Sequence, residues 1–316
     1  DFSKQKAVDV MNRYRDVLPS FNDDIQGTGA VVLAGLLAAA KKTHRPMTDE
    51  TYVVHGAGAG GVGVARQIVV GLQRQGLSRA EAIARVLMID SAGLVTSDRP
   101  GLEEYKRELA QDPARTAGWE VAGKVPSLLE TITNSRATGV IGLSGQAGAF
   151  DETVVKAVLA NSPAPIVFPL SNPTVNSEAV PEDVYAWTDG RAIVATGSPF
   201  PNVEHGGRSH IVGQGNNAFI FPGVGLGAMV ARAGKVTDNM LTAAAEALAD
   251  YTDPVRLMEG AVYPSIKTLG RASKHVATAV ASQAVKDGVA RRELADPAEA
   301  VAEAVWEPRY LPIRRA

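Results

Sequence analysis

"VVHGAGAGGVGVARQIV", residues 53–69, decides the fold. A short apolar, β-rich run enters it and a helical pattern leaves it. Between them Gly56, Gly58 and Gly61 stand at G-x-G-x-x-G spacing. Each glycine has a physical task in that setting. Gly56 permits a tight turn, Gly58 lets backbone approach a pyrophosphate, and Gly61 lets the helix pack close to the strand. The phosphates then meet the free N–H groups and the positive dipole end of the helix. The bland alternative is a glycine-rich turn with no ligand. The strand–loop–helix context predicts a dinucleotide site instead, with Gly56, Ala57, Gly58 and Gly61 on the cofactor. The next strand, "RVLMID" (85–90), ends in Asp90, placed to accept hydrogen bonds from the adenosine ribose, with Ser91 beside it. The span from Gly56 to Asp90 exceeds the usual ~20 residues. A short helix at 79–84, capped by Ser78, accounts for most of the excess.

Working outward, strands and helices alternate. Short apolar runs at 51–56, 85–90, 139–144, 165–171 and 191–196 read as strands. They are apolar throughout, as in a sheet covered on both faces. Helices are predicted at 4–18, 28–42, 61–75, 79–84, 127–134, 151–160 and 181–187, then at 224–234, 237–250 and 267–287. The stretch 99–125 is polar and reads as helix with loops. This alternation means βαβ units and a parallel sheet. The fold class is therefore α/β, a doubly wound, Rossmann-like parallel sheet with a helical N-terminal arm and a helical C-terminal segment. The expected division is an arm at 1–27, the nucleotide-binding domain at 28–285 and a tail at 286–316.

Composition narrows the function classes. The 316 residues are 45% apolar and 21% charged, with a net charge of -2. No block of like charge offers a nucleic-acid surface or a polybasic membrane anchor. No apolar run reaches the roughly 18 residues a membrane span needs. Neither nucleic acid nor membrane is an expected partner. There is no cysteine, which excludes disulfides, thiolate catalysis and Cys-ligated zinc. A cytoplasmic location is expected. The N-terminal residues are charged and lack the apolar stretch of a signal peptide.

In open α/β sheets ligands bind outside the carboxyl ends of the strands. "GLSGQAG", "LSNPT", "TGSPF" and "GQGNNAFIFPG" all fall there and bring Asn172, Asn216 and Asn217. Asparagine donates and accepts without charge, which suits a carboxamide or a substrate carboxylate. The bland alternative is loop stabilisation through Asx-turns. His55 reads as a packed core residue, and His205 and His210 as surface residues of a Gly-rich loop at 203–213. "FNDDIQGTG" (21–29) sets Asp23 and Asp24 directly ahead of a very apolar helix. Acids there complement the helix dipole and cap free N–H groups. Alternatively one or both hold a cation.

"FNDDIQGTGAVVLAGL", "GAGAGGVG", "IGLSGQAGAF", "PLSNPT", "ATGSPF" and "GQGNNAFIFPG" occur in this order. Together they resemble the cofactor-binding domain of malic enzymes, from Asp1 to about residue 285. The resemblance implies metal-dependent oxidative decarboxylation of L-malate to pyruvate and CO₂ with reduction of NAD, NADP being the other cofactor to test. It implies Mg²⁺ or Mn²⁺ held by Asp24 and Asp1, with Asp23 and Asp24 as catalytic acids. Asn172 and Asn217 would meet the cofactor, and Asn172, Asn216 and Asn217 the substrate. Asp1-Phe2 matches the second member of the family's Glu-Asp metal pair. The Glu and the catalytic Tyr and Lys of the family would precede Asp1, so the chain resembles a malic enzyme cut at that point. A homo-oligomer is expected. The alternatives are a malolactic enzyme, with the same cofactor and metal but lactate as product, or a nucleotide-binding module without turnover. On cofactor choice, Asp90 should repel a 2′-phosphate. Lys106 and Arg107 either supply a cation to one or sit on a solvated helix face.

Overall fold

The computed structural model describes residues 4–306 and 310. Asp1, expected as a metal ligand, lies outside these residues. The chain opens with α1 (Lys4–Tyr14), a π-turn at Asp23–Gly27 and α2 (Thr28–Thr43). The prediction carried α1 to residue 18. It stops at Tyr14 because the next apolar residues, Val17 and Leu18, are exposed, so no burial supports another turn. Then follow β1 (Tyr52–His55), α3 (Ala59–Arg74), α4 (Arg79–Ala84), β2 (Val86–Asp90) and β3 (Gly93–Leu94). Next are α5 (Glu104–Arg107), α6 (Leu128–Ser135), β4 (Gly139–Gly142), α7 (Glu152–Asn161), β5 (Ile166–Pro169), α8 (Pro181–Thr188) and β6 (Ile193–Thr196). A hairpin of β7 (Val203–His205) and β8 (Arg208–His210) precedes β9 (Gly213–Gln214), α9 (Phe221–Val230), α10 (Asp238–Tyr251) and α11 (Pro254–Met258). The last helices are α12 (Leu269–Lys286) and α13 (Pro297–Ala304).

Local chemistry sets many of these boundaries. Ser78 with Glu81 and Ser127 with Glu130 form reciprocal capping boxes that start α4 and α6. Asp151 caps α7, and Pro181 occupies the first turn of α8. The segment 203–213, expected as a loop, is a hairpin. Gly206 and Gly207 both take positive φ, 60° and 73°, which matches the twist of a two-residue turn. His210 of this hairpin stacks on the buried Tyr185 ring at 4.3 Å.

The sheet order is β3-β2-β1-β4-β5-β6-β9. The β2–β3 pair is antiparallel and the other pairs are parallel. Side chains alternate between the faces. Tyr52, Val54, Met88 and Phe168 face the layer of α2, α3, α9, α10 and α12, whereas Val53, Leu87, Val140 and Val167 face that of α6, α7 and α8. Both faces are thus covered, which explains strands apolar throughout. The first apolar cluster takes in Ala7 and Met11 of α1 and Val301 of α13. Helix α2 lies within this layer against α3 and α10, which explains its apolarity. Among the described residues no helix is long and apolar enough to cross a membrane.

Candidate active site

Strand order reverses direction between β1 and β4, and ligands of open α/β sheets bind at such a switch point. A cleft of about 920 Å³ opens there. Its walls carry Gly56, Ala57, Gly58, Gly61, Asp90, Ser91, Asn172, Asn216, Asn217 and Asp24. Nine of these ten were expected cofactor or substrate contacts, and Asp24 was the expected metal ligand.

The glycine loop has the geometry its residue types require. Gly56 takes φ +113°, and a Cβ there would lie 2.4 Å from the Leu143 carbonyl oxygen. A Cβ on Gly61 would lie 1.8 Å from the Gly56 carbonyl oxygen, so the helix start and the turn need both glycines. Gly58 is the N-cap of α3, whose first N–H groups therefore open into the cleft.

Asp90 is not free. Its Oδ1 accepts from the Ala92 N–H at 2.9 Å, and its Oδ2 pairs with Arg99 and, at 2.9 Å, with Lys106. Burial by itself would raise its pKa, but the bonds from Arg99 and Lys106 outweigh this and hold the carboxyl below its ordinary value. Lys106 is 5% exposed and also pairs with Glu103 at 2.8 Å. Burial opposes its charge, yet Glu103 and Asp90 keep its pKa above the ordinary lysine value. The solvated-face alternative therefore fails for Lys106, which lines the cleft, and holds for the exposed Arg107. Its cause is a tertiary fold of residues 99–106 back onto β2. Arg99, in that polar stretch, carried no signal that would have found it.

At the other end, Asn22 rather than either acid caps the turn before α2. Its Oδ1 accepts from Ile25 N–H at 2.9 Å, and its own N–H donates to Gln26 Oε1. Asp24 is exposed in the cleft and makes no hydrogen bond or ion pair with a described residue. The helix-capping alternative thus has no support at Asp24. Asp23 does not line the cleft. Its Oδ2 accepts from Asn217 Nδ2 at 2.5 Å, while its Oδ1 is buried and has no partner among the described residues. Burial, then the neighbouring Asp24 charge, push the Asp23 pKa up to about 6, against the Asn217 bond. Asn216 accepts from Ala218 N–H at 2.8 Å, an Asx-turn as in the bland alternative, and Asn172 Oδ1 accepts from Ser198 Oγ at 2.6 Å.

His55 is buried, as expected, beneath the glycine loop, and its Nδ1 has no partner among the described residues. Burial lowers its pKa, with Glu178 opposing. Among the described residues no three acids or histidines are grouped to hold a metal. The carboxylate oxygens of Asp24, open to the cleft, suit a hard divalent cation in kind, but they are only part of its shell.

Residues 25–285 match the family model described as malic enzyme, NAD binding domain. An NAD-dependent malic enzyme of Acinetobacter baylyi is 41% identical over 317 residues, covering 100% of this chain and 56% of that protein. One from Pseudomonas aeruginosa is 44% identical with the same coverage. Among solved structures, the malic enzyme of Entamoeba histolytica superposes with a TM-score of 0.77 at 28% identity, covering 96% of this chain and 57% of the other. That of Pyrococcus horikoshii gives 0.73 at 29%, covering 94% and 62%. The chain spans about half the length of the curated relatives it matches. With the cleft's glycine loop and the FNDD and GNN motifs all within or beside the matched residues, the chain belongs to the malic enzyme family and carries its NAD-binding domain.

Proposed function

We propose that this chain is the cofactor-binding portion of an NAD-dependent malic enzyme, which converts L-malate to pyruvate and CO₂. One observation carries this: the glycine loop, Asp90, Asp24 and Asn217 open into a single cleft at the sheet's switch point. The N–H groups at the start of α3 take the pyrophosphate. Asp90 accepts from the adenosine ribose. Asn217, held by Asp23, presents its amide to the substrate or the nicotinamide end, and Asn172 does the same from the next loop. A hard Mg²⁺ or Mn²⁺, held in part by Asp24, would supply Lewis-acid polarisation of the malate hydroxyl and carboxylate. The relatives' printed name supports NAD and the oxidative reaction over the malolactic alternative.

Calorimetric titration of the chain with NAD⁺ tests the first part. Absence of binding would refute it. Malate oxidation is tested with the chain joined to the part of its relatives that it does not span. Lactate as the product in place of pyruvate would refute the second part.

A further inference from the structure

Glu178 is fully buried, with no exposed surface, yet it belongs to none of the groups assigned above. It lies between β5 and α8 in the chain and reaches back under the ends of β4 and β5. Its Oε1 accepts from Ser144 N–H at 2.8 Å, Ser144 Oγ at 2.8 Å and Ser171 Oγ at 2.5 Å. Its Oε2 accepts from Ser171 N–H at 3.3 Å. Ser171 Oγ in turn accepts from Gly145 N–H at 2.9 Å. Space for the carboxylate exists because residue 142 is glycine. A Cβ there would lie 2.4 Å from the Glu178 carboxyl carbon.

A buried carboxylate is unfavourable unless donors surround it, and an apolar side chain would fill the same space without that demand. Here the donors come from two loops just past the last ladder bonds of β4 and β5. Those loops, with Ser144, Gly145, Ser171 and Asn172, form the wall of the cleft on the β4–β5 side. Asp90 stands on the β2 side. A dinucleotide crossing the switch point puts its adenosine on the β2 side and its nicotinamide half on the other.

We propose that Glu178 is a positioning residue for the nicotinamide half of the cleft. A single carboxylate pulls the two loops to one point and so sets where Gly145 and Asn172 stand. This rests on the dinucleotide reading above. Glu178→Gln tests the role with almost no change of shape. The carboxamide has one accepting oxygen, and its NH₂ must face the backbone N–H of either Ser144 or Ser171, which cannot rotate away. One loop is then released.

The experiment is calorimetric titration of the whole chain with NAD⁺ and, separately, with ADP, which fills only the adenosine half. The expected result for Glu178→Gln is a loss of about tenfold in NAD⁺ affinity, the scale of one buried donor left without its acceptor. ADP affinity should stay within about twofold, since its contacts lie on the far side of the switch point. A purely structural role would weaken both ligands alike. NAD⁺ affinity falling no more than ADP affinity would overturn the inference. If Glu178→Gln does not fold, Ser171→Ala carries the same expectation, because it removes one donor to the carboxylate and the acceptor of Gly145 N–H. A parent chain that binds ADP but not NAD⁺ would refute the dinucleotide reading instead, before any variant is compared.

Discussion

Asp90→Asn should change cofactor preference rather than merely weaken binding. The side chains of Asp90, Arg99 and Lys106 are 11%, 16% and 7% exposed, and both cations share one carboxylate oxygen. Removing one partner of a fully buried pair costs about 3–5 kcal/mol. Asp90 and Lys106 sit on the wall of an open cleft, so about 1–3 kcal/mol is the discounted expectation for stability. For NAD⁺, loss of one or two charge-assisted bonds to ribose hydroxyls removes about 1–2 kcal/mol, or roughly tenfold in affinity. A 2′-phosphate brings a charge near −1.5 to −2 and would meet two cations freed from their carboxylate. NADP⁺ affinity should therefore hold or rise, and the NADP⁺/NAD⁺ preference should shift by about 10- to 100-fold. Calorimetry with both cofactors on parent and variant measures this ratio. Equal losses for the two cofactors would refute the placement of Asp90 at the 2′ position. The acid limb offers a second check. Because the carboxyl's pKa is lowered in the folded state, its stabilisation is complete above about pH 4 and is lost as pH falls through the lower folded value. Asp90→Asn should lack that step.

Other outcomes follow from the cleft. Gly58→Val, at the N-cap facing the cleft, should abolish NAD⁺ binding while leaving the melting temperature within a few degrees; unchanged affinity by calorimetry would remove the pyrophosphate from this loop. Gly61→Ala should instead fail on stability, since its Cβ would meet the Gly56 carbonyl oxygen at 1.8 Å, and a normal melting temperature would contradict the turn geometry. Asp24→Asn should alter stability by less than about 0.5 kcal/mol, because the exposed carboxylate has no partner among the described residues to lose, while weakening Mn²⁺ binding measured by titration of the chain. Burial depresses the folded pKa of His55, so stability is full above the unfolded value near 6.5 and falls as pH drops below it. His55→Gln should flatten the thermal-stability profile between about pH 7 and pH 5, and an unchanged profile would count against the buried neutral imidazole.

Sequence and structure agree most closely where one local rule decides the outcome. The strands that pair over four or more residues are apolar runs, and the helices at 79–84 and 127–134 begin at serines three residues before a glutamate. Strands β3 and β9 were not legible because two residues carry no periodicity. Helix α13, capped by the Asp296 side chain with Pro297 in its first turn, lies inside a segment expected as tail and packs on α12 and α9. Of the residues lining the cleft, those marked by their own type and local pattern were legible: the glycines, Asp90, Asp24 and the asparagines. Residues placed by a partner distant in sequence were not. Nothing local in the sequence joins Arg99 to Asp90, Glu178 to Ser144, or Asp23 to Asn217, 194 positions away.

Five glycines stand among the eight residues from Gly56 to Gly63, two more than the fingerprint requires. The surplus pair, Gly60 and Gly63, lies against the acid turn, although Gly60 also borders the cleft. A Cβ on Gly60 would approach the Asp24 carbonyl oxygen at 3.3 Å, and one on Gly63 would lie 2.3 Å from that of Ile25. The first two turns of α3 are thus shaped by two neighbours, the open cleft on one flank and the Asp24-bearing turn on the other. Backbone-to-backbone contact leaves no compressible side chain between them. The acid turn and the glycine loop are therefore coupled through backbone contact, and a methyl group at residue 63 should be felt in the position of Asp24 as strongly as in the glycine loop.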